Sequence, residues 1–177
     1  FLFLLYEAAG IGANLAGGYF ASRFGIPRML AIGQTLQIAG ALESMLEISV
    51  RYSNERVAFE KKISKFQAVQ HNLARLAGES AAALAAATSA ADAIANATTF
   101  NDEVFLEAVA AKIRCAEAAE KGGAIAHQVH GAIGFTLEHI LHRYSLRALA
   151  WRDDFGSESY WAVELGKLVA ARGADEL

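Results

Sequence analysis

From Met29 onward the apolar residues of this chain recur at helical intervals, and no strand-period pattern of useful length interrupts them. Leu30, Leu36, Ile38, Leu42, Leu46, Ile48 and Val50 predict a first helix from Met29 to about Asn54. Residues 59–66 break that period and read as a connecting loop, after which a helix is expected from about Phe66 to Ala97. Its Ala81–Ala97 half is rich in small residues, which lets neighbouring helix axes approach closely. Phe100-Asn101-Asp102 marks a turn, with Asn101 or Asp102 as the N-cap of a helix to about His130. A further helix is expected from Thr136 to Trp151, and a last one from Tyr160 to Ala171, separated by Gly156 and Ser157. The only proline, Pro27, comes two residues after Gly25 and makes 24–28 the clearest break. The expected fold is therefore all-α, an antiparallel helical bundle over residues 29–177, preceded by an unassigned apolar segment, 1–28.

Composition narrows the function classes. A length of 177 residues suits one domain with a sizeable core. A net charge of −3 without any basic run gives no footprint for nucleic acid. The single cysteine, Cys115, excludes an internal disulfide and suits a reducing compartment, which points to the cytoplasm. It reads as a small buried hydrophobe rather than a catalytic thiol. Phe1-Leu2-Phe3-Leu4-Leu5 has the look of a signal or membrane segment. However, it lacks a basic leader, Glu7 interrupts it, and Gly10, Gly12, Gly17 and Gly18 dilute the apolar run beyond it, so no membrane partner is expected.

Three constellations could carry chemistry. Residues 126–142 hold four histidines around Gly131 and Gly134, where one helix ends and another begins. Small residues after Gln128 and His130 leave room for another backbone or a flat ligand. Thr136 is an N-cap candidate, with Glu138 in the first turn where its charge suits the helix dipole. The pairs His127/His130 and His139/His142 have helical metal-ligand spacing. They lack the glutamate-histidine pairing of di-iron bundles, because Glu138 is followed three residues on by Leu141, so no metal is expected. The imidazoles then read as hydrogen-bonded groups at a crowded corner. Next, Arg56 and Phe59, followed by Gln67, pair a planar fork of donors with an apolar ring wall, which suits a phosphate-bearing ligand. The bland reading is an arginine serving the last carbonyls of its own helix. Finally, Asp153, Asp154 and Glu158 flank Phe155 and Gly156. Either a pocket raises one carboxylate into general-base range, or they form a solvated turn.

Two of these stretches carry a family resemblance. Residues 56–67, Arg-Val-Ala-Phe-Glu-Lys-Lys-Ile-Ser-Lys-Phe-Gln, resemble the "RxxFGxPIxxFQ" segment of acyl-CoA dehydrogenases, with Glu60 for the usual Gly and Lys62 for the usual Pro. Residues 128–139, Gln-Val-His-Gly-Ala-Ile-Gly-Phe-Thr-Leu-Glu-His, are similar to the family's "QxxGGxGFTxEH" segment, with Ala132 for the second Gly. Trp151-Arg152-Asp153-Asp154-Phe155-Gly156 is similar to a tail of some bacterial members. The resemblance covers about Leu36 to Gly173 and implies the C-terminal helical domain of that family. It implies an FAD-dependent oxidoreductase of lipid metabolism that desaturates an acyl-CoA between Cα and Cβ and passes electrons to an electron-transfer flavoprotein or similar acceptor. Arg56 would meet the FAD pyrophosphate, with Phe59 and Gln67 at the same site. Gln128 and Gly131 would lie along the adenosine half of a cofactor held mainly by a neighbouring subunit of a homo- or hetero-oligomer. An ungapped count from Gln128 places Phe155 where many members carry the catalytic glutamate, with Asp154 and Glu158 as the nearest carboxylates. A non-catalytic partner subunit or remnant of a heteromeric acyl-CoA dehydrogenase is the alternative function.

Overall fold

The computed structural model describes residues 25–173, so residues 1–24 of the unassigned 1–28 segment lie outside the described residues. Five α-helices account for most of the described chain: α1 (Ile26–Glu55), α2 (Gln67–Asn96), α3 (Asp102–His130), α4 (Leu141–Asp153) and α5 (Glu158–Arg172). The all-α bundle expectation holds. On α1, Thr35, Ile38, Leu42, Met45 and Ser49 are buried at alternating steps of three and four. Leu76, Ser80, Ala83, Ala87, Ala90 and Ile94 do the same on α2. Such spacing puts one continuous stripe of each helix against its neighbours. Helix α3 is buried on several sides and touches α1, α2, α4 and α5.

Small residues set how closely these helices pack. A Cβ on Gly122 of α3 would overlap Leu42 Cδ2 of α1 and press on Leu76 Cδ1 of α2 at 3.2 Å. The glycine is thus what lets three helices meet at one level. Asn101 caps α3, its side-chain oxygen accepting from the Val104 N–H at 3.0 Å, as the sequence suggested. The pair Arg172–Asp102 ties the end of α5 to the start of α3. By contrast α5 buries no residue and lies at the periphery.

Two local expectations need correction. Residues 57–62 form a small hairpin that takes up the first part of the 59–66 stretch expected as a loop. Its strands β1 (Val57–Ala58) and β2 (Lys61–Lys62) pair antiparallel, and a 3-10 turn, Ile63–Lys65, leads into α2. Strands of two residues are too short to print a period of two. The turn, moreover, is made by Phe59 and Glu60 at φ 52° and 64° rather than by Asn-Gly or Asp-Gly. The second correction is the start of α4, at Leu141 rather than Thr136. Residues Gly131–Phe135 form a 3-10 turn, and Thr136 turns its hydroxyl back to donate to Ile133 O at 2.9 Å. Glu138 therefore precedes the helix instead of sitting in its first turn. The Leu141 N–H is met by His139 Nδ1 at 3.2 Å, so a histidine takes the role expected of Thr136.

Candidate functional site

The C-terminal ends of α1 and α3 meet at one end of the bundle, together with the start of α2 and of α4. The join is Tyr52, in the last turn of α1. Its carbonyl accepts from the Arg56 N–H at 2.8 Å, which closes α1 and launches the hairpin. Its phenol donates to His130 O at 3.4 Å, and its ring stacks on His130 with centroids 4.5 Å apart. The structure thus brings the two motifs to the same end. Arg56, Gln67, Gln128 and Gly131 are all exposed there, and Phe59 is 89% exposed.

Both halves of this end have backbone at positive φ, strained in the hairpin and relaxed at the glycine corner. Phe59 and Glu60 occupy the left-handed region, which costs a side-chain-bearing residue about 1–2 kcal/mol each. The Phe59 ring gets only an edge contact with Phe66, at 6.3 Å, in return. Gly131 sits at φ 66°, ψ −147°, a region only glycine reaches readily. No atom would lie within 4 Å of a Cβ built there, so its approach side is open. Gly134 differs: a Cβ would come within 3.0–3.2 Å of His130 Cβ, Leu141 Cδ2 and His127 Nδ1, so it is needed for packing.

The histidines underneath serve as structure. His130 is 4% exposed; its Nδ1–H donates to Ala126 O at 2.8 Å, leaving Nε2 buried without a partner. The His139 ring lies 4.7 Å from it. Burial lowers the pKa of His130, with His139 and His127 adding to the effect against the Ala126 hydrogen bond. His127 stacks on Phe135 at 4.2 Å and shares a 2.8 Å hydrogen bond with Ser145 Oγ. Its pKa is lowered too, by burial first and His142 second. Among the described residues no group of three or more His, Cys, Asp or Glu could hold a metal ion.

The carboxylate candidates lie far from this end. Asp154 ends α4, is exposed, and its Oδ2 accepts from Gln34 Nε2 at 3.1 Å. Gln34 is 18 residues before Tyr52 on α1, which places Asp154 about 27 Å along the axis from the corner. Glu158 opens α5 beside the Ser157 N-cap, and its Oε2 is buried without a hydrogen-bond partner. Between them Phe155 (φ 56°) and Gly156 (φ 105°) make a tight turn, whose Phe155 O accepts from Trp161 Nε1 at 3.1 Å.

Sequence reasoning missed Lys112. It is 1% exposed on α3, with Nζ donating to Trp151 O at 2.8 Å and Asp154 O at 2.9 Å. An ammonium at the carbonyl end of α4 suits the helix dipole and meets acceptors that would otherwise be orphaned. Burial lowers its pKa, opposed chiefly by Asp154 and then Asp153. The only signal was a lysine in an apolar phase of α3, three residues before Cys115. Cys115 itself is buried, and desolvation pushes its thiol up to about 12, so the non-catalytic reading fits.

Residues 19–159 match the acyl-CoA dehydrogenase C-terminal domain family. Over 124 residues the chain is 36% identical to acyl-CoA dehydrogenase IpdE2 of Mycobacterium tuberculosis, covering 70% of this chain and 36% of that protein. Butyryl-CoA dehydrogenase of Megasphaera elsdenii has a similar fold, with a TM-score of 0.72 at 25% identity, over 81% of this chain and 37% of the other. The ChsE4–ChsE5 complex of Mycobacterium tuberculosis matches with a TM-score of 0.69 at 25% identity, over 84% of this chain and 39% of the matched one. The chain thus spans just over a third of the length of each of these. No helix among the described residues is long and apolar enough to cross a membrane.

Proposed function

The chain belongs to the acyl-CoA dehydrogenase family, and from that premise we propose that it acts as the C-terminal helical domain of an FAD-dependent acyl-CoA dehydrogenase. The observation that carries this reading is the solvent-facing end of the bundle. There Arg56, Phe59, Gln67, Gln128 and Gly131 are exposed together on a hairpin with a strained turn and on an open glycine corner. In this reading the Arg56 fork meets the FAD pyrophosphate and Phe59 walls the dinucleotide beside Gln67. Gln128 and the open side of Gly131 take the adenosine half. FAD, when bound, supplies the hydride acceptor. The cofactor is held mainly by a neighbouring subunit, so oligomerisation completes the site. The substrate is an acyl-CoA, the electron acceptor a flavoprotein, and a chain whose one cysteine is buried suits the cytoplasm.

For the base, Glu158 fits better than Asp154. Its Oε2 is desolvated and unpartnered, whereas Asp154 Oδ2 is held by Gln34. The second reading, a non-catalytic partner subunit, is favoured by Phe155. It stands where the resemblance puts a glutamate, and its turn is closed by Trp161. Flavin absorbance should co-purify with the assembly and fall in Arg56→Ala; a colourless wild-type preparation ends the flavoprotein reading. Dye-linked acyl-CoA oxidation then separates the two. Turnover abolished by Glu158→Gln supports the enzyme, and a flavin-bearing assembly inert to every acyl-CoA supports the partner.

A further inference from the structure

We infer that Tyr52 is the positioning residue that sets the two halves of the nucleotide site against each other. This rests on the FAD-site reading above and adds a residue to it. The hairpin that carries Arg56 and Phe59 is anchored through Ile63 N–H to Arg56 O at 2.9 Å and through Arg56 N–H to Tyr52 O at 2.8 Å. The corner that carries Gln128 and Gly131 is anchored through His130, the last residue of α3. Tyr52 touches both. Its main chain ends the first anchor, and its side chain holds the second by the His130 O hydrogen bond and the ring stack. His139 closes the stack edge-on, 5.9 Å from Tyr52, and itself meets the start of α4 through the Leu141 N–H.

The His130 ring is fixed from below, because its Nδ1–H is committed to Ala126 O. The Tyr52 ring is therefore a direct side-chain link between the helix that ends in the hairpin and the corner. At 3.4 Å the phenol hydrogen bond is the weaker of the two contacts that the Tyr52 side chain makes with His130, and the stacked face is the stronger. A dinucleotide whose pyrophosphate sits on Arg56 and whose adenosine sits on the corner needs the two at a set separation. A misplacement of the order of an ångström is enough to weaken binding.

The test is a double-mutant cycle on FAD affinity in the purified assembly. In the wild type, Arg56→Ala and Gln128→Ala should be non-additive, because one ligand bridges two coupled contacts. In Tyr52→Leu, FAD should bind about five- to tenfold more weakly and the two effects should become additive. Tyr52→Phe keeps the stack and should restore affinity to within about twofold. Unchanged affinity or unchanged coupling in a folded Tyr52→Leu overturns the proposal. A second measurement needs no variant at Tyr52. Inorganic pyrophosphate added to the wild-type assembly should shift the amide resonances of Arg56 and Ala58, and that of Gly131 with them. Shifts at the hairpin with Gly131 silent overturn the role of Tyr52 alone. No shift at Arg56 overturns the nucleotide-site reading, and Tyr52's role falls with it.

Discussion

Glu60 and Gly131 both have positive φ, and only one of them is a glycine. At Glu60 the left-handed conformation costs about 1–2 kcal/mol, and a glycine's extra unfolded-state entropy costs about 0.5–1 kcal/mol. Glu60→Gly should therefore stabilise the chain by about 0.5 kcal/mol, read as a higher urea midpoint at unchanged slope. Gly131→Ala should do the reverse, costing about 2 kcal/mol although nothing crowds the new methyl, because the backbone well itself is closed to alanine. A second residue-level expectation concerns acid. His130 and His127 have lowered pKa values in the fold, against 6.5 for the free side chain. Below about 6.5 the unfolded chain takes up protons that the folded chain refuses, so stability is complete above that pH and is lost on acidification. Urea midpoints should fall between pH 7.5 and pH 5.5, and His130→Gln should flatten the slope. A midpoint constant over that range would mean that the folded chain takes up protons as readily as the unfolded one.

Among the elements, α4 depends on a residue that belongs to α3. A single ammonium, Lys112 Nζ, donates to both Trp151 O and Asp154 O. Lys112→Met would fill the same volume but leave both carbonyls buried or poorly solvated, at about 1–3 kcal/mol. The loss should appear as faster amide exchange in the α4–α5 turn as well as a lower melting temperature. A neutral or stabilising effect would show that the buried charge cost as much as its hydrogen bonds returned. Helix α5 stands at the other extreme. With no buried residue, it meets α3 through the Trp161–Phe105 ring contact and the Arg172–Asp102 pair, while the Ser157 cap and the Trp161 bond to Phe155 O fix only its own first turn. Its amides should exchange fastest of the five helices, and added salt should speed them further by screening that pair.

At the scale of the whole molecule, the bundle was legible because its helices announce themselves locally. The three-four spacing of α1 and the Asn101 cap need no knowledge of distant chain. The start of α4 was misread because Thr136 satisfies the turn behind it and His139 caps the helix ahead, a choice made by the three-dimensional corner. The hairpin was missed because neither of its turn residues carries a turn signal. Of the site, the nucleotide-facing residues came from resemblance rather than spacing. Tyr52 and Lys112 were invisible as functional groups because their partners lie 78 and 39 residues away. Their roles exist only once α1, α3 and α4 are packed.

Cys115 gives this chain a reporter on its own interior. It is the sole thiol, it is fully buried where α2 and α3 meet with Sγ toward Ala83 O, and it is almost entirely protonated at neutral pH. A thiol-reactive dye can therefore reach it only when those helices separate, and the labelling rate times how often α3 is exposed without any engineered probe. Labelling at the rate of global unfolding would mark the bundle as one cooperative unit. Faster labelling would reveal that α3 parts from α2 while the rest of the chain stays folded.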